Sequence, residues 1–133
     1  MKIAKTTKHG IILYVIISIR RLDKPMIKMI IKMNEEKIST SSEYTIERIY
    51  QALDRIFFNK GMERTDTDRG IEYVGHDRPT DFAYFGKIML GLKDQPWFMD
   101  NAKTWLYCNS DDSDNPKDFN EEDLLVHYGR VIA

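Results

Sequence analysis

With Cys108 as its single cysteine, this chain of 133 residues can form no internal disulfide and no site built from several thiolates. That economy fits a reducing compartment, and a cytoplasmic location is expected. No P-loop, GxGxxG, GxSxG, HExxH or paired-cysteine motif occurs, so the chemistries those spacings support have no local template. His9, His76 and His127 stand far apart and outside any metal-ligand spacing. Internal repeats are missing, as is a linker long enough to divide the chain. Nor is there a membrane-spanning run: Ile11–Ile19 is a largely apolar stretch of nine residues, about half of the ~20 a spanning helix needs. These absences lead us to expect no enzymatic activity, no cofactor and no metal.

What the chain does have is a break in charge. Met1–Met33 carries eight Lys or Arg against Asp23, a net of +7, while Asn34–Ala133 carries twelve bases against twenty acids, a net of −8. The formal total of −1 hides this division. With 42% hydrophobic and 31% charged residues the composition is that of a globular protein. We therefore divide the chain into a basic segment or extension over residues 1–33 and an acidic domain over 34–133. Three readings of Ile11–Ile19 remain open: a buried β-strand, a basic membrane-surface segment, or an extension outside the natural domain, with Met26, Met29 or Met33 as a later start.

Met26–Lys32 is strand-like, with Ile27, Met29 and Ile31 alternating against Lys28 and Lys32, and Ile30 breaking the pattern. The two apolar runs are able to pair as a hairpin. Thr40, Ser41 and Ser42 offer N-caps, and Thr40 with Glu43 has capping-box spacing. Ile46, Ile49, Tyr50, Leu53, Ile56 and Phe57 then define one face of an amphipathic helix that Gly61 terminates, with Glu47, Arg48, Asp54 and Arg55 on its solvated face. Met62–Thr65 and Ile71–Val74 flank a turn-rich stretch and suggest a hairpin. A second helix follows Pro79, with Phe82, Phe85, Ile88, Met89 and Leu92 as its apolar face; Gly86 and Gly91 weaken it by up to ~1 kcal/mol each and suit close packing. Thr104–Cys108 reads as a strand. A last helix runs through Leu124, Leu125 and Tyr128, with Glu121, Glu122 and Asp123 at its start and Gly129 at its end. The fold expected is α+β, with about three helices on a small, mostly antiparallel sheet.

Candidate chemistry is sparse. An EF-hand loop begun at Asp112 puts Lys117 where glycine is needed, and one begun at Asp111 puts Pro116 there. Cys108 with His127, and His76 with Asp77 and Asp81, contain the residue types of nucleophilic or acid–base sites, but such residues more often pack a core or open a helix. Bases that would meet phosphate lie before Met33 and the rest of the chain repels it, so direct nucleic-acid binding is not expected. The stronger feature is Asp94–Asp123, where nine acids face only Lys103 and Lys117 and aromatic residues are interleaved. Asp111, Asp112, Asp114 and Asp118 supply charge that steers a basic partner, and Trp97 and Phe98 are candidate anchors. Trp105 and Tyr107, on one face of a strand, read as core.

The stretches DFAYFGKIMLGL (81–92), DQPWFMDNAKTWLYCN (94–109) and FNEEDLLVHY (119–128) resemble small bacterial immunity proteins, including those that protect against contact-dependent growth-inhibition toxins. The resemblance implies a non-enzymatic inhibitor that binds a cognate toxin domain, often a nuclease, and blocks it. An acidic, motif-poor domain suits that role, because a nuclease presents a basic cleft to phosphate. The alternative is a membrane-surface accessory protein that uses the basic residues of Lys2–Lys32 against anionic lipid.

Overall fold

The computed structural model describes residues 26–76, 78–110 and 120–129. Five antiparallel strands form one sheet: β1 (Ile27–Met33), β2 (Glu63–Thr67), β3 (Gly70–Val74), β4 (Ala102–Asn109) and β5 (Asn120–Asp123), in the spatial order β2-β3-β1-β4-β5. Among the described residues five helices accompany it: α1 (Glu35–Thr40), α2 (Ile46–Phe58), α3 (Asp81–Leu92), α4 (Pro96–Met99) and α5 (Leu124–His127). The fold is α+β. The helices beyond the expected three are α1, six residues long, and α4, a single turn.

Residues 27–33, the described strand of the basic segment, belong to the same sheet as strands of the acidic part of the chain. Met33 ends the central strand, whose two edges are taken by β3 and β4. Ile27, Met29, Ile31 and Met33 alternate into the core beneath the helices, so the basic segment contributes the middle of the sheet. Ile30, the exception to alternation, points to the opposite face, where it pairs laterally with Glu72 and Leu106 and is fully buried. Lys28 beside it lies 3.4 Å from Glu72. The run Ile11–Ile19, and with it the hairpin expected from the two apolar runs, lies outside the described residues.

Local signals explain most of the remaining boundaries. Asn34 caps α1 by accepting the Lys37 N–H at 3.1 Å, and the residues expected to cap α2 instead end α1 and form the connection. Thr45 is the α2 cap, accepting the Arg48 N–H at 3.2 Å. Ile49, Leu53 and Phe57 are the buried stripe of α2, as their spacing predicts. Gly61 closes the helix with φ +78°, a backbone conformation that side chains disfavour. In the β2–β3 hairpin Gly70 has φ +132°, and a Cβ there would lie 2.5 Å from the Ile31 carbonyl oxygen. The last helix starts later than expected. Asn120–Asp123 pairs with β4 as an edge strand, and Asp123 caps α5 by accepting the Leu125 and Val126 N–H groups at 3.1 and 3.3 Å.

All five helices send buried residues into a single core on one face of the sheet: Ile38, Leu53, Phe85, Phe98 and Leu124 represent them in turn. Phe57 stacks on Tyr73 with ring centroids 3.9 Å apart, and Phe98 meets Trp105 edge-on at 4.9 Å. Each such side chain contributes about 1.5–3 kcal/mol by leaving water. Trp105 donates its indole N–H to the Met29 sulfur at 3.0 Å, joining β4 to β1.

Candidate protein-binding surface

Of the residues singled out for binding, Asp111, Asp112, Asp114 and Asp118 lie outside the described residues. Trp97 and Phe98 sit on α4, where Pro96 at the first helical position pre-sets the backbone. Their fates differ. Phe98 is fully buried against Trp105 and is a core residue, so it is withdrawn as an anchor. Trp97 is half-buried and donates its indole N–H to Gln95 at 3.2 Å.

Four of the remaining acids in the 94–123 stretch are engaged within the chain. Asp94 lies 3.0 Å from Lys93, Glu122 lies 2.8 Å from His127, and Asp123 caps α5. Arg69 makes a bidentate pair with Glu121 at 2.6 and 2.9 Å, and its guanidinium holds the Glu121 carboxyl below its usual range.

The candidate catalytic residues have structural surroundings. Cys108 is fully buried, and its thiol is pushed up to about 11, first by burial and then by the Glu121 charge. At neutral pH it is therefore a thiol rather than the reactive thiolate. Asp81 is buried at the start of α3. One carboxylate oxygen accepts the His76 and Arg78 N–H groups at 2.8 and 3.1 Å, and the other accepts Arg78 Nε at 2.9 Å. This clasp fixes the passage from β3 into α3. Asp54, read from sequence as part of a solvated face, is similarly turned to internal use. It accepts the Tyr73 hydroxyl at 2.6 Å, and its two carboxylate oxygens share Arg64 Nη1 at 2.8 and 3.0 Å. Burial and this contact push the Tyr73 hydroxyl well above its ordinary pKa.

The surface that stands out was only partly visible in the sequence. α3 is apolar almost all round: Phe85, Ile88 and Leu92 face the core, but Phe82 and Leu90 remain 66% and 58% exposed. Its only charged side chains are buried Asp81 and Lys87. The expectation that Phe82 belongs to the core face therefore fails. Between α2, α3 and α4 runs a groove of about 280 Å³, with Ile56, Ile88, Leu92 and Trp97 in its apolar lining and Lys60 and Lys87 alongside.

Comparison of the chain with protein-family models, with curated proteins and with solved structures gives no significant match.

The surface must therefore be read from its own chemistry. Among the described residues no group of three or more His, Cys, Asp or Glu is placed to hold a metal ion, and no helix is long and apolar enough to cross a membrane. A helix whose outer face carries large apolar side chains and almost no charge is suited to contact with another macromolecule. The sequence signal for it was the shortage of charge in DFAYFGKIMLGL, which periodicity alone had assigned to burial.

Proposed function

We propose that this protein is a non-enzymatic, cytoplasmic immunity-type inhibitor that binds a cognate toxin domain and occludes it. The observation that carries the reading is the exposed apolar face of α3, with Phe82 and Leu90 uncovered on an ordered helix. The stretches that resemble immunity proteins include α3 and the segment from α4 into β4, so the resemblance and the bare face coincide. In this scheme Leu90 and Phe82 join Trp97 as contact residues. Asp111, Asp112, Asp114 and Asp118 steer a basic partner, a nuclease being the expected class. The membrane-surface alternative loses part of its basis, because residues 27–33 of its basic segment are committed to the sheet.

Co-purification of the full chain from its native host, followed by identification of bound proteins, tests the proposal. A basic toxin domain is expected, and failure to retain one even at low salt would sink the reading. Charge reversal at Asp111, Asp112 and Asp114 should slow association and flatten its salt dependence. Unchanged kinetics would remove these three residues from the interface.

A further inference from the structure

The groove beside Trp97 has a chemistry of its own. Ile56 from α2 and Ile88 and Leu92 from α3 are among its apolar lining residues, with Trp97 from α4. Gly91 also lines it, and a methyl group placed on that residue would meet no atom within 4 Å. A volume of about 280 Å³ suits one or two side chains rather than a cofactor-sized ligand.

Its charge is one-sided. Among the described residues Lys60 and Lys87 line the groove and no carboxylate does. Neighbouring bases are already neutralised: Arg78 lies 2.8 Å from Asp81, and Lys93 lies 3.0 Å from Asp94. Lys60 is placed 5.2 Å over the Tyr84 ring, a contact that adds no negative charge to balance its own. Neither Lys60 nor Lys87 forms an ion pair with a carboxylate among the described residues. Two ammonium groups without a carboxylate partner among the described residues, set beside apolar walls, favour a carboxylate that arrives with an apolar side chain and disfavour a basic segment.

We propose that this groove is a docking site for a short acidic segment of a partner protein, which inserts an aliphatic or aromatic side chain between Ile88 and Trp97 and sets carboxylates against Lys60 and Lys87. The inference rests on the protein-binding reading of the α3–α4 surface but not on the partner being a toxin. A partner that is basic overall satisfies it through a local acidic segment.

The test uses a random heptapeptide library displayed on phage, selected on the immobilised full chain. Gly91→Trp fills the groove from open space and serves as the blocked control. Selected peptides should carry two or more Asp or Glu around an apolar residue, and a synthetic copy should change Trp97 fluorescence. Its affinity should fall about tenfold or more for Gly91→Trp and for the Lys60→Glu/Lys87→Glu double variant. Lys60→Ala/Lys87→Ala, which introduces no new charge, is the second variant if reversal disturbs folding; circular dichroism checks each. No enrichment over Gly91→Trp, enrichment of neutral or basic peptides, or equal affinity for all variants would overturn the proposal. So would a wild-type dimer that Gly91→Trp dissociates, because a second copy would then fill the groove. Because purified chain and peptides suffice, a failed host co-purification alongside a positive selection rejects the toxin assignment and leaves the groove standing.

Discussion

Helices α2 and α3 sit on the same face of one sheet and bury similar inner stripes, yet their outer faces have opposite chemistry. α2 buries Ile49, Leu53 and Phe57 and turns Glu47, Arg48, Gln51 and Arg55 to water, with Phe58 half-exposed at its last position. α3 buries Phe85, Ile88 and Leu92 but turns out Phe82, Ala83 and Leu90, with Lys87 as its one exposed charge. The inner stripes account for the folding of both helices. They give no reason for Phe82 and Leu90 to stand in water along α3 where charges predominate along α2. Under the proposed function the difference is what a partner meets. Acidic charge and aromatic anchors need not coincide in such a surface: Trp97 stands beside lysines, while four of the described acids of its segment are occupied elsewhere.

The comparison depends on one sheet beneath both helices, and the largest predicted effect removes it. A chain beginning at Met33 lacks nearly all of β1, leaving β3 and β4 without the strand that joins them. Cooperative unfolding in urea should disappear, and near-ultraviolet circular dichroism from Trp105 should be lost. A cooperative transition in that shortened chain would restore the boundary at Met33. Next in size is Asp54→Ala on α2. It strands the Tyr73 hydroxyl and takes a carboxylate from Arg64, at a cost of about 2–3 kcal/mol. Arg55→Ala, one residue along and exposed, should change stability by no more than about 0.5 kcal/mol. Equal effects in denaturant titrations would return Asp54 to the solvated face.

The buried stripe of α2 was legible because Ile49, Leu53 and Phe57 repeat at helical spacing, and the β2–β3 hairpin because turn residues separate two short strands. Strand order was not, since nothing local in Ile27–Met33 says that both of its edges are taken. Ile30 broke the alternating pattern because the centre of a sheet can bury side chains on both faces. Helix α1 went unread because Thr40, Ser41 and Ser42, which end it and follow it, also suit the caps of a later helix, and Asn120–Asp123 looked like a helix start because acidic residues suit both an exposed edge strand and a helix dipole. The groove was beyond periodicity altogether. Lys60 follows the end of α2 and Lys87 lies on α3, so only the packing of the two helices brings them together. The glycines of α3 misled in the other direction: they were expected to admit a close neighbour, but a methyl group on Gly86 or Gly91 would meet no atom within 4 Å.

That open space sets the smaller predictions. α2 contains no glycine, whereas Gly86 sits inside α3 with room for a side chain. Gly86→Ala should stabilise the fold by about 0.5–1 kcal/mol, read as a higher denaturation midpoint at unchanged slope. Any loss of stability would show that the position needs glycine after all. Leu90→Gln should have the smallest effect on stability, within about 0.5 kcal/mol, because that side chain is already largely in water. Its effect should instead fall on partner retention in the co-purification, while Gln51→Ala on α2 leaves retention unchanged. Equal retention by both variants would make the bare face of α3 irrelevant to binding and reduce its contrast with α2 to composition alone.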